Sequence, residues 1–276
     1  MASPSRGIQG HLHIECRVDS TGRTYLARQS FRAPIHLSKP YWDGNHLIIN
    51  LVNPTAGLFA GDHIEMNVRV CTGARVVLTA PSAVRVFPAR QSGDRASVVQ
   101  AFLVESGGRL DVFPEIFIPH AGARYVQATR IDVESGGELF LVEMIAPGRT
   151  ASGESFAYDQ LEFGMDLSCA GKLEVREYYR LAPRNETVQA IVSDFPTAYF
   201  ASAFIVSRGG ADESFQRAIG ALSTSRVSAG VTHPTENVYA IKLIAADSMA
   251  LRHAVSAIRA LGYSHLGWPQ PLLRKL

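Results

Sequence analysis

From the first ordered-looking stretch, apolar and polar residues alternate with period two. Leu12, Ile14, Cys16 and Val18 fall on one face, and His11, His13, Glu15 and Arg17 on the other, which predicts a half-buried strand. Asp19-Ser20-Thr21-Gly22 reads as a hairpin turn into a second strand over Arg23 to Gln29, after which Pro34 and Pro40 interrupt the pattern. Leu47 to Val52, Ile64 to Val70, Arg75 to Thr79, Ala96 to Val104, Tyr125 to Val133 and Leu139 to Glu143 all favour strands by alternation or β-branched content. The period changes only after about residue 205. Phe215, Ala218, Ile219 and Leu222 recur at steps of three and four behind a candidate N-cap, Asp212. Leu251, Ala254, Val255, Ile258 and Leu261 do the same behind Asp247, with Gly262 placed where a helix C-terminus favours a left-handed residue. Val238 to Ala245 is a strand between them. The pattern predicts a mainly β chain with two α-helices near its C-terminus.

One segment repeats. Val104-Glu105-Ser106-Gly107-Gly108-Arg109-Leu110 returns as Val133-Glu134-Ser135-Gly136-Gly137-Glu138-Leu139, and looser versions occupy Val70 to Val76 and Leu167 to Leu173. A small-residue turn at intervals of roughly thirty residues implies strand-turn-strand units that bury their apolar faces only by lying side by side, at a spacing too irregular for a strict solenoid. Residues 1–10 are expected to form a disordered lead. Residues 11–276 are expected to form a single domain: a stack of strands over 11–205, then a strand, two helices and an irregular tail, Trp268-Pro269-Gln270-Pro271, over 206–276.

The stretch Asn53 to Asp62 must break any ladder, because Pro54 lacks an N–H and Gly57 and Gly61 can take positive φ. Leu58 and Phe59 within it need cover, from the core or from a partner. The Asp62 carboxylate either caps free N–H groups of this loop or faces outward as a ligand, and local residues favour capping.

Composition narrows the function. Of 276 residues, 46% are hydrophobic and only 19% charged, a shortfall expected of a chain that hides surface in a partner. The net charge of +2, without a run of like charges, argues against nucleic acid as a partner. No stretch has the length of a signal-peptide core or a membrane span, so a soluble cytoplasmic protein is expected. Cys16, Cys71 and Cys169 are odd in number and far apart, which favours free thiols over disulfides or a zinc knuckle.

No nucleophile elbow, zinc helix, phosphate loop or dinucleotide fingerprint is present. His11 and His13 share a face, but spacing implies no third ligand. Gly148-Arg149-Thr150-Ala151-Ser152-Gly153-Glu154 joins a guanidinium, a hydroxyl and a carboxylate on one loop. It either binds an anion or passes a cation, or Arg149 and Glu154 simply pair with each other. Glu115, Glu143, Glu162, Glu174 and Glu177 supply oxygen ligands if their side chains point inward.

Taken together, Asn53-Pro54-Thr55 with Gly57-Leu58 and Gly61-Asp62, then Gly73-Ala74-Arg75 with Thr79, Pro81 and Arg85, then Arg149 and Ser152-Gly153-Glu154 resemble the urease accessory protein family UreD, also called UreH. The resemblance covers about residues 11 to 180 well and the helical end loosely. Ala56 and Ala60 stand where glycines are common, Arg85 where lysine is frequent, and Thr150 in place of proline. The resemblance implies a β-helix-like stack of strands with two helices and a non-enzymatic maturation chaperone. The implied partners are UreF, the nickel-carrying GTPase UreG reached through it, and apo-urease, with a higher-order dimer of the accessory complex. No tightly bound cofactor is implied, only transient nickel(II) conveyed through an internal passage. Asp62, Glu115 and Glu154 are the residues expected to matter to that passage or its shape, since oxygen ligands release nickel readily. A carbohydrate-active β-helix enzyme, which needs clustered carboxylates in a groove, and a purely structural β-repeat protein are the other classes open to this chain.

Overall fold

The computed structural model describes residues 7–88, 94–184, 186–207 and 212–273. Residues 1–6 of the expected lead lie outside them, and the first strand already begins at Gln9.

In chain order the strands are β1 Gln9–Val18, β2 Thr24–Arg32, β3 His36–Leu37, β4 Tyr41–Asp43, β5 His46–Val52, β6 His63–Val70, β7 Arg75–Thr79, β8 Val84–Val86 and β9 Ala96–Val104. They continue with β10 Arg109–Phe113, β11 Phe117–Pro119, β12 Arg124–Val133, β13 Glu138–Ile145, β14 Gln160–Cys169, β15 Lys172–Leu181, β16 Tyr199–Val206, β17 Val227–Thr235 and β18 Val238–Ala245. Three helices interrupt them, α1 Glu186–Asp194, α2 Glu213–Gly220 and α3 Ser248–His265.

From β5 to β14 the chain alternates between two sheets. One sheet runs β15-β14-β12-β9-β6-β1-β2, the other β17-β18-β16-β13-β10-β7-β5-β3, with β4, β8 and β11 attached to it. Neighbours in the middle of each sheet are parallel, whereas β1–β2, β14–β15 and the β13-β16-β18-β17 edge are antiparallel. The fold is mainly β, as the pattern predicts. Its architecture is two mixed sheets, parallel in the middle and closed by antiparallel hairpins at the sheet ends.

Burial explains why the two sets of strands look different in sequence. The first sheet buries one face only, so β1 alternates, with Leu12, Ile14 and Cys16 inward and His11, His13 and Glu15 outward. The second sheet is covered on both faces. In β13, Leu139 and Leu141 pack between the sheets while Phe140 and Val142 pack under the helices, and the run loses its alternation. α3 presents Leu251, Val255 and Ile258 to that outer layer.

The repeats are the tight turns at one end. Gly107 and Gly136 hold φ of 70° and 79°, and the turns stack, Gly107 N–H donating to the Gly136 carbonyl at 2.9 Å. The repeated glutamates lock the column: Glu105 accepts from Thr72 N at 2.9 Å and Glu134 from Ser106 N at 3.1 Å.

Three expectations change. A helix, α1, precedes residue 205, because its brief stripe of Val188, Ile191 and Val192 is rich in β-branched residues and indistinguishable from strand by pattern. Gly262 does not end α3, which runs to His265. A Cβ there would lie 2.9 Å from Phe140 Cε1, so the glycine permits close packing, and Gly267, at φ 63°, takes the left-handed position instead. The tail is irregular, as expected, and tied down: the Arg109 guanidinium carbon lies 3.7 Å from the Trp268 ring centroid, and Leu272 N–H donates to Asp43 at 2.6 Å. The late segment also holds two strands, β17 and β18, where the pattern showed one.

Candidate functional site

Parallel pairing in both sheets puts every tight turn at one end and every long connection, β5 to β6, β7 to β9, β10 to β12 and β13 to β14, at the other. The first and third motifs read from sequence, with the Pro81-to-Arg85 part of the second, lie in these connections, whereas Gly73-Ala74-Arg75 sits at the tight-turn end. Leu58 N–H donates to the Arg85 carbonyl and Phe87 N–H to that of Leu58, both at 2.8 Å, and His120 N–H donates to the Val86 carbonyl at 2.9 Å. At Gly57, φ is 152° and a Cβ would meet Arg85 O at 2.4 Å, so only glycine lets the strands close.

Most motif side chains hold loops in shape. Asn53 Oδ1 accepts from Thr55 N at 2.9 Å and Thr55 Oγ1 at 2.6 Å. Thr79 donates to the Phe113 carbonyl at 2.9 Å. Pro81 is half-buried, Arg85 exposed, and Gly61 takes φ of 91°. Asp62 is buried and caps, as its local sequence suggested: one oxygen accepts from Ile8 N and the other from Phe59 N, each at 2.8 Å. Of the two apolar side chains that needed cover, Leu58 is buried by the core, and the partly exposed Phe59 stacks on Phe87 at 4.6 Å.

Around the turn Thr150–Ser152, Arg149 grips both Glu154 oxygens, and Glu154 also accepts from Ala121 N at 3.1 Å. Ser152 N–H closes this turn on the Arg149 carbonyl, and Gly153 holds φ of 75°. The guanidinium and the backbone amide hold the Glu154 carboxyl at about 2. Beside them His120, its Nε2 buried without an acceptor or donor among the described residues, packs on Phe87 at 4.4 Å; burial and the Arg149 charge keep its pKa below the ordinary value.

The loops roof a cavity of about 180 Å³ between the sheets, with Asn53, Leu58 and Ser82 at the roof and Glu115 in the wall, where Arg252 holds its carboxylate at 2.6 Å. Deeper, polar side chains intrude on inward positions that are otherwise apolar. Gln100 donates to Thr129 Oγ1 at 2.9 Å, Gln127 to the same oxygen at 3.3 Å and to Glu143 at 2.5 Å, and Tyr125 OH to Gln127 at 2.9 Å. Glu143 lies in register with Ser202 and, beyond it, Lys242, which binds Ser202 Oγ at 2.9 Å and pairs with Glu177. A polar lane thus crosses the core from the cavity to the half-exposed Lys242–Glu177 pair. Burial pushes the Glu143 carboxyl up, against the opposing pull of its hydrogen bond from Gln127.

The profile of the UreD urease accessory protein family matches residues 9–275. The chain belongs to the UreD family. It is 39% identical over 257 residues to the urease accessory protein UreD of Opitutus terrae, covering 91% of this chain and 93% of that one. It is 34% identical over 179 residues to the UreD of Deinococcus radiodurans, 64% of each chain, and 29% identical over 187 residues to that of Acetivibrio thermocellus, covering 67% and 70%. Membership supports a role in urease maturation.

Against that role, the three expected site residues separate. Asp62 and Glu154 are committed to loop geometry, and only Glu115 lines the cavity. The lane of Gln100, Gln127, Thr129 and Glu143 was not singled out from sequence as a set, although Glu143 and Glu177 were among the carboxylates considered. Its readable sign is polar residues at inward phase, Gln100 between Val98 and Phe102 and Gln127 between Tyr125 and Ile131. Among the described residues no group of three or more His, Cys, Asp or Glu stands close enough to hold a metal ion, no disulfide forms, and no helix is long and apolar enough to cross a membrane.

Proposed function

We propose that this UreD-family chain is a non-enzymatic chaperone that hands nickel(II) to apo-urease, docked on UreF and through it on the GTPase UreG. The observation that carries this reading is the polar lane through an otherwise apolar inter-sheet core. Buried polar side chains are retained there at a cost in desolvation, and amide, hydroxyl and carboxylate oxygens suit a divalent cation that must be held briefly and released. In this reading nickel is cargo. The cavity under the motif loops is its vestibule, Glu115 stands at the wall, and Glu143 is the carboxylate it passes. Asp62 and Glu154 act on the shape of the entrance through the loops they fix. The protein works in the cytoplasm, within an accessory complex that pairs with a second copy of itself.

Co-production with UreF, UreG and urease tests the reading. Asp62→Ala and Glu154→Ala should reduce the yield of the pulled-down complex along with nickel per urease active site, as expected of residues that hold shape. Glu143→Gln should preserve the complex and lower nickel alone. Full nickel loading with Glu143→Gln, at normal complex yield, would contradict a passage through the lane.

A further inference from the structure

Outside the lane, a second cavity of about 190 Å³ lies between α3 and the second sheet, with Thr79 and Phe113 on the sheet side and Arg252, Ser256 and Arg259 on one face of the helix. Arg259 sits over Phe113, its guanidinium carbon 4.4 Å from the ring centroid, and 5.8 Å from that of Tyr263. Its Nε and Nη2 are buried, and neither has an acceptor among the described residues. These two nitrogens form one edge of the guanidinium, the fork that donates two parallel N–H bonds to a carboxylate. The same chain uses that fork elsewhere: Arg109 on Asp111 at 3.2 and 3.1 Å, Arg176 on Asp166 at 2.8 and 2.9 Å, and Arg149 on Glu154.

The carboxylates nearby are already engaged. Glu115, which also lines this cavity, accepts from Arg252 at 2.6 Å, and Asp111 accepts from Arg109 and, at 2.7 Å, from Tyr263 OH. Among the described residues that line the cavity, two arginines face one carboxylate, and Arg259 is the arginine whose fork has no acceptor. We infer that this cavity is a carboxylate-binding site anchored by Arg259, taking either a small free acid or an acidic side chain of a bound protein. No residue of the polar lane lines it, and of the residues given a role in the nickel reading it shares only Glu115, which Arg252 already holds.

The test uses the full-length chain and its thermal midpoint, titrated with sodium acetate at ionic strength held constant by chloride. The wild type should show a saturable rise. Arg259→Met, which keeps an unbranched side chain of similar bulk against Phe113 while removing the charge and the fork, should fold and show none. Arg259→Lys keeps the charge but lacks the fork and should bind acetate at least tenfold more weakly. A blocked Gly-Glu-Gly peptide, with its Gln counterpart as control, distinguishes the sources: tighter binding than acetate assigns the site to a protein side chain, equal or weaker binding to a free acid. An acetate response no larger than that of chloride, or one that persists in Arg259→Met, overturns the proposal, as does wild-type affinity in Arg259→Lys.

Discussion

Gln127 and Glu143 face each other across the two sheets, the amide nitrogen of one 2.5 Å from a carboxylate oxygen of the other. The pair closes the space between the cavity and the far edge of the core with polar atoms, in a layer where neighbouring positions hold Phe102, Leu141 and Phe163. That contrast is the basis for reading the lane as functional rather than as packing.

Because burial raises the folded-state pKa of Glu143 above its unfolded value, the folded protein binds this proton more tightly than the unfolded chain. The stability this contributes is fully present below the unfolded carboxylate range and is lost as pH rises through the raised value. Glu143→Gln cannot ionise, so its stability relative to wild type should increase as pH rises from the ordinary carboxylate range through the raised value, as read by thermal unfolding. A difference between the two proteins that stays flat across that interval would contradict a buried, raised carboxyl.

Glu154 has the opposite sign. Its carboxyl is held at about 2 against an ordinary 4.5, so its contribution is present above the higher value and disappears as pH falls between them. Hydrogen exchange at the Ala121 amide should accelerate, beyond the intrinsic pH effect, over that interval in wild type and should be fast throughout in Glu154→Gln. Equal protection in both proteins would remove the loop-fixing role.

Asp62→Ala leaves two part-buried backbone N–H groups, of Ile8 and Phe59, without the buried carboxylate that accepts from them. The expected loss is about 1–3 kcal/mol in denaturant unfolding, with the loop from Asn53 losing protection first. A loss below a few tenths would mean that water replaces the carboxylate without difficulty.

Gly262→Ala should destabilise by about 1–3 kcal/mol, since the new methyl group presses on the buried ring of Phe140, 2.9 Å away. Inside a helix alanine would otherwise stabilise relative to glycine. A measured gain in stability would therefore contradict the close packing of this position on Phe140.

The strands of the first sheet were legible because one face meets water and the alternation of Leu12, Ile14 and Cys16 with His11, His13 and Glu15 survives. The turns were legible because Val104 to Leu110 and Val133 to Leu139 repeat the same stacking residues. Pairing was not: nothing local in Leu139 to Val142 says that its two sides face a second sheet and a helix layer. The capping of Asp62 and the pairing of Arg149 with Glu154 were readable from their loops. The lane was harder to see, because Gln100, Gln127 and Glu143 come from three separate strands and meet only through register.

The most direct measurement is nickel per active site in urease matured with a chain whose lane is closed by an apolar side chain of similar length, Glu143→Met, beside the amount of accessory complex recovered. The account predicts unchanged complex and nickel reduced about tenfold or more, the effect of roughly 1.4 kcal/mol or more on the transfer step. Wild-type nickel content with Glu143→Met, at equal complex yield, would contradict a route through Gln127 and Glu143.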